Sequence, residues 1–216
     1  MNGTLEMFPH SGKGTLITFC GLDGCGKTTL IKRLTEYLRE TGRDVFLTKQ
    51  PTNAVRQSEI FRTYMDSPCH DAFDYISLSL LAAGDRVQHS SKTVLPALES
   101  GKTVVSDRYF YSCLANLRAR GYENETWIYE VSGHVVKPDI AFFIDIDVDT
   151  AVRRVRSRPE ERTRFIDMPL QYRLRKEYKE IAEANGGILL SSAEPEDETF
   201  RKVINTVNDY MKRRRK

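Results

Sequence analysis

Residues Gly21-Leu22-Asp23-Gly24-Cys25-Gly26-Lys27-Thr28 follow the spacing G-x-x-x-x-G-K-[ST]. They stand between a β-type run, Thr15–Cys20, and an amphipathic helical pattern, Thr28–Glu40. This order constrains the fold more than any other feature, because such a loop works only between a strand and a helix. Its glycines let consecutive N–H groups turn inward toward an anion, and the following helix adds its positive end. Lys27 is then placed to reach the β/γ-phosphates of a nucleoside triphosphate, and the Thr28 hydroxyl to ligate Mg²⁺. Residues 21 to 28, with Thr29, form the expected ATP-binding segment.

A chain of 216 residues is long enough for one domain with a substantial core. No apolar run approaches the length of a bilayer span. Residues 1–14 are polar, lack the apolar centre of a secretory signal, and read as a disordered leader. Cys20, Cys25, Cys69 and Cys113 have neither metal-ligand spacing nor a disulfide framework, which points to reduced thiols and a cytoplasmic address. The net charge of +3 includes five positive charges in Lys212–Lys216, so the remainder of the chain is net negative. The basic tail, 213–216, therefore reads as a solvated helix end and not as part of a nucleic-acid footprint.

Candidate strands at Thr15–Cys20, Asp44–Thr48, Thr103–Ser106, Ile140–Asp145 and Gly187–Leu190 alternate with helical patterns. The helices are expected at Thr28–Glu40, Asp71–Glu99, Tyr109–Ala119, Asp149–Arg156, Pro169–Ala184 and Glu196–Lys212. Alternation of this kind predicts an α/β fold, a five-stranded parallel sheet with helices on both faces. Ligands of such sheets sit beyond the C-terminal strand ends. Here those ends carry Asp23, Lys49-Gln50, Asp107-Arg108, Asp145 and Ser191.

Phosphoryl transfer asks a protein for positioning and charge neutralisation more than for covalent chemistry. Asp107 is the preferred metal carboxylate, since Arg108 follows at once and can grip an acceptor phosphate beside it. Asp145 reads as an ordinary strand-end residue. The segment of about 153–166 is crowded with arginines and interrupted by Pro159, the composition of a mobile lid. One or two of its guanidiniums would close over the bridging oxygens and exclude water, with Arg156, Arg158 and Arg162 the candidates. For Arg86, next to Asp85 in an apolar helix, a buried ion pair and a ligand contact are both open.

Several runs resemble the thymidylate kinase family. They are the phosphate loop, Leu80–His89, Pro96-Ala97-Leu98, the stretch Gly101–Tyr109 ending in Asp107-Arg108-Tyr109, Ser112, and Lys137-Pro138-Asp139 before the strand ending at Asp145. The resemblance extends from about Thr15 into the C-terminal helix. It implies a three-layer P-loop nucleoside-monophosphate kinase domain, 15–212, that moves the γ-phosphoryl of MgATP onto a deoxynucleotide phosphate. It implies a catalytic set of Lys27, Asp107, Arg108 and the lid arginines, with Thr28 and Asp107 at the metal. Asp23, Lys49, Arg86, Arg108, Tyr109 and Asn116 would face the acceptor. Gly24 stands where some members carry a catalytic loop arginine, which makes this chain similar to the lid-arginine type. A homodimer is implied as well, and neither nucleic acid nor membrane is an expected partner.

The chain also departs from that pattern. Lys49-Gln50-Pro51 replaces an Arg-Glu-Pro, Ala82 a base-stacking phenylalanine, Asn116 a tyrosine beneath the sugar, and Leu117 a glutamine. The phosphate half is kept while the base and sugar pocket is rebuilt. A changed or broadened acceptor follows, dTMP or a related or modified pyrimidine nucleotide. Phe73, Tyr75 and Tyr111 are the candidates to restore a stack. A GTPase switch is excluded by the absence of any Asn-Lys pair. Two alternatives stay open, a kinase of this fold with a non-nucleotide acceptor and a non-catalytic nucleic-acid-associated ATPase.

Overall fold

The computed structural model describes residues 3–66 and 73–214. Cys69, Pro68, the start of the helix expected from Asp71, and Arg215 and Lys216 of the tail lie outside them. In chain order the strands are β1 (Thr15–Cys20), β2 (Val45–Lys49), β3 (Thr103–Asp107), β4 (Ile140–Asp145) and β5 (Ile188–Ser191). The helices are α1 (Lys27–Glu40), α2 (Asn53–Arg56), α3 (Glu59–Asp66), α4 (Tyr75–His89), α5 (Leu95–Glu99) and α6 (Tyr111–Ala119). After them come α7 (Trp127–Ser132), α8 (Val148–Arg156), α9 (Met168–Ala184) and α10 (Glu196–Arg214).

All strand pairs are parallel, in the order β2-β3-β1-β4-β5. β1 is buried along its whole length, as expected of an apolar run covered on both faces. Phe19 and Phe142 meet across the β1–β4 pair at 5.1 Å, and Phe110, Phe143 and Tyr109 complete the largest buried side chains. The register sets Phe19 and Lys49 on either side of Asp107, so three strands end at one edge.

The long helix expected over Asp71–Glu99 is helical without a break over the described residues 75–99 but contains a π turn, Ser90–Val94, between α4 and α5. Pro96 has no N–H for the Lys92 carbonyl, and widening the turn accommodates its ring. α8 and α9 begin at carboxylate caps, Asp147 accepting from Thr150 N at 2.8 Å and Asp167 from Leu170 N at 3.0 Å. Helices α2, α3 and α7 were not expected, being too short for periodicity to reveal.

Residues 3–14 do not stand apart from the fold as a leader would. Leu5 and Met7 are in the core, Phe8 bridges to Val136, and Leu5 N donates to Asn185 Oδ1 at 2.8 Å. The tail is also engaged, since Arg214 donates to the Gly12 and Gly14 carbonyls. Both meet at Asp139, which accepts from Leu16 N at 2.7 Å and from Tyr210 Oη, with His10 Nε2 at 2.9 Å. Burial pushes the Asp139 carboxyl up, but hydrogen bonds from His10, Tyr210 and Leu16 outweigh it and leave the group below the usual carboxylate range.

A carboxylate with a depressed folded pKa stabilises above its unfolded value of about 3.9 and loses that contribution as pH falls. Asp139→Asn is therefore expected to lower stability at neutral pH by about 1–3 kcal/mol. In denaturant titrations the gap between variant and wild type should close on acidification below pH ~4; a gap independent of pH would contradict the assignment.

Candidate active site

The loop between β1 and α1 lies over the C-terminal edge of the sheet and forms one end of a cleft of about 400 Å³. Lys27 is buried, and its Nζ donates to the carbonyls of Leu22 at 2.6 Å and Gly21 at 3.0 Å, which fixes the ammonium at the base of the loop. Thr28 and Thr29 reach the cleft from the first turn of α1, whereas Cys25 is fully buried beneath the loop. Gly24 has a φ of +81°, and a Cβ there would stand 2.1 Å from the Ala151 carbonyl oxygen of α8. No side chain fits, so the loop cannot carry an arginine at this position.

Arg108 follows β3 with a φ of +67°, anchored by its N–H donating to Phe19 O at 2.8 Å. This strained backbone aims the guanidinium across the loop. It donates to Asp23 Oδ1 at 2.5 Å, to Tyr178 Oη at 3.0 Å and to Gly21 O at 3.3 Å. Arg108, reinforced by Lys27 and Arg164, holds the Asp23 carboxyl well below the ordinary carboxylate range despite an opposing effect of burial. Asp107 Oδ2 lies 3.2 Å from Lys49 Nζ, while Oδ1 is buried with no hydrogen-bond partner among the described residues.

Asp85 and Arg86 do not pair with each other. Asp85 accepts from Thr52, at its backbone N (2.8 Å) and hydroxyl. Arg86 is buried on the cleft wall, with Nη1 donating to Ala82 O at 2.8 Å and Nε unpartnered. Arg56, from the one-turn α2, lines the same wall and donates to Pro51 O at 2.8 Å. Burial, then the nearby Arg108, lower the Arg56 pKa, with Asp107 and Asp23 opposing. A dense field of desolvated positive charge thus faces the loop, suited to a second anion.

Of the lid arginines, Arg158 and Arg164 reach the cleft wall, and Arg164 lies 3.4 Å from Asp23. Arg156 and Arg162 are exposed and off the wall, contrary to their expected place. Tyr109 is also misplaced by the sequence reading. It is fully buried, its hydroxyl donates to Val136 O at 2.6 Å, and it cannot face a ligand. Tyr111 packs in the core on Phe143 at 5.2 Å, and Phe73 is not on the cleft wall. Asp145 is held by Arg175 at 2.7 Å and Lys179 at 3.0 Å, the structural strand-end role expected of it. Asn116 does line the cleft and accepts from Arg120 at 2.8 Å.

Arg56, Arg120 and Tyr64 are wall residues that sequence reasoning missed. Arg56 sits in a helix too short to detect. Arg120 carried a signal, since it falls four residues after Asn116 and so shares its helix face. Among the described residues no three His, Cys, Asp or Glu side chains gather as a metal cluster.

A model of the thymidylate kinase family matches residues 19–204. A probable thymidylate kinase of Pyrococcus abyssi is 36% identical over 176 residues, 79% of this chain and 84% of its own. One of Thermococcus kodakarensis is 36% identical over 189 residues, 85% and 92% of the two chains. A thymidylate kinase of a Geobacillus species is 33% identical over 210 residues, 94% of this chain and all of its own.

Gly24→Ala forces a Cβ against α8 at a left-handed backbone position. It is expected to cost at least ~1–3 kcal/mol from the backbone conformation alone. A melting temperature equal to wild type would show that the loop does not approach α8 so closely.

Proposed function

Because the chain belongs to the thymidylate kinase family, a family of phosphotransferases, we propose that it transfers the γ-phosphoryl group of MgATP to a pyrimidine (deoxy)nucleoside 5′-monophosphate, dTMP or a related or modified nucleotide. The observation that carries this reading is the pairing of two anion sites in one cleft. Lys27 and the loop amides form one, and Arg56, Arg86 and Arg108 form the other, with Asp107 nearby.

The loop amides and Lys27 grip the ATP phosphates, drawing Lys27 from the loop carbonyls onto the β- and γ-oxygens. Arg86 and Arg108 hold the acceptor phosphate, whose second pKa near 6 leaves it anionic and nucleophilic without a general base. Lys49 contributes a point charge there without the two-toothed grip of an arginine. Asp23 orients Arg108 and offers its carboxylate to the acceptor's 3′-hydroxyl. The unpartnered Asp107 Oδ1 and the Thr28 hydroxyl fit Mg²⁺, and would hold it directly or through water. When bound, the ion neutralises charge on the polyphosphate oxygens. Arg158 and Arg164 are the lid guanidiniums placed to spread charge from the transferring group, and their segment excludes water as it closes.

A homodimer belongs to this reading, supported by exposed Leu80 and Leu81 on α4. So does a cytoplasmic address, supported by the free thiols of Cys20, Cys25 and Cys113. Among the described residues no helix is long and apolar enough to cross a membrane.

An ADP-release assay across nucleoside monophosphates tests the reading, with Lys27→Ala as the blank. Turnover of pyrimidine monophosphates is expected, and a purified enzyme idle on every one of them would refute it. A strong preference for dTMP over dUMP, dCMP and their ribo-analogues would restrict the acceptor to dTMP itself.

Within the lid, Arg158→Ala or Arg164→Ala should lower kcat by roughly 10³-fold or more, the usual effect of losing a transition-state arginine. Arg156→Ala and Arg162→Ala should leave kcat within a few-fold of wild type, as expected of solvated charges. Equal losses in all four variants would return the assignment to the lid as a whole.

A further inference from the structure

Away from the phosphate-handling groups, the residues walling the cleft include Phe61, Tyr64, Tyr75, Ala82, Asn116 and Arg120. A planar ring held there needs a flat partner, and Ala82 offers only a methyl group. Tyr75 has little face left to give. It stacks on Tyr122 with centroids 6.0 Å apart and planes inclined by 21°, and Tyr64 tilts against it at 5.3 Å. Over its ring, 4.2 Å from the centroid, sits the guanidinium carbon of Arg120.

Arg120 is pinned in this position. Its Nη1 donates to Asn116 Oδ1 at 2.8 Å and to Asn116 O at 3.2 Å, and its Nε donates to Tyr64 Oη at 3.2 Å. Among the described residues it has no carboxylate within ion-pair distance. A guanidinium so held is a rigid, weakly hydrated plane, and such planes stack on nucleobases as aromatic rings do. Ordering it on binding costs little, because Tyr64, Tyr75 and Asn116 have already done so.

We propose that Arg120, seated on Tyr75, is a specificity-determining residue that stacks on the base of the acceptor nucleotide. This rests on the nucleoside-monophosphate kinase reading above. The base is gripped by a cationic plane projecting from the end of α6, and position 82 on α4 is left free to be small. Asn116 acts through Arg120 by fixing the tilt of that plane.

The test is steady-state kinetics of wild type, Arg120→Ala and Arg120→Lys with the preferred nucleoside monophosphate. It is paired with the inhibition constant of 2-deoxyribose 5-phosphate, an acceptor fragment without a base. Arg120→Ala should raise KM for the nucleotide by roughly ten- to a hundredfold, the range of a lost stacking partner. The KM for ATP and the inhibition constant of the sugar phosphate should stay at wild-type values. Arg120→Lys, which keeps the charge and loses the plane, should behave as the alanine variant does, and it carries the comparison if the alanine variant does not fold. Recovery of KM by lysine would overturn the proposal, because a point charge would then suffice. Equal weakening of the sugar phosphate would overturn it too, placing Arg120 at the phosphate or in the fold. An unchanged nucleotide KM in an active enzyme would overturn the stacking role alone. A wild type inactive on every nucleoside monophosphate would remove the kinase reading and this proposal together.

Discussion

Like charges held close together repel, and the cleft gathers Lys27, Arg56, Arg86 and Arg108 around one space. Two carboxylates stand among these charges. Asp23 takes the Arg108 guanidinium at 2.5 Å, and Asp107 takes Lys49 at 3.2 Å. Each leaves the positive field largely uncancelled while fixing where the cations point. Arg86 is desolvated, with Nη1 donating to Ala82 O at 2.8 Å and Nε unpartnered among the described residues.

Backbone architecture places these charges before any side chain adjusts. Because β1 lies between β3 and β4, the loop after β1 and the Asp107-Arg108 step after β3 emerge side by side at one edge. The parallel register then puts Lys49 opposite Asp107. The close approach of Gly24 to α8 has a chemical consequence. It bars a side chain at position 24, while Arg158 and Arg164 reach the cleft from the arginine-rich segment. Asp23 accepts from both Arg108 and Arg164, and so ties the lid to the strand end beneath it.

Local pattern was enough for the sheet. All five strands were legible, β1 and β4 to the residue, since buried parallel strands read as continuous apolar runs. It failed where the deciding neighbour is distant in the chain. Leu5 and Met7 look like residues of a polar leader until Leu5 N is seen to donate to Asn185, Glu6 N to Ser132, and Phe8 to bridge to Val136. Tyr109 follows the two site residues Asp107 and Arg108, yet its ring turns into the core. The positive φ of Arg108 reverses the chain there, and sequence neighbours part.

The sequence by itself determined the phosphate loop, the parallel α/β fold and the strand ends at which charge collects. These depend on contiguous residues, turn chemistry and apolar period. Tertiary structure alone decided which of many arginines reach the cleft. Arg56, Arg120 and Arg164 come from three separate elements to one cleft, while Arg156 and Arg162 point elsewhere. A guanidinium's worth depends on what it is desolvated against and what fixes its plane. Both are supplied by residues far away in the chain.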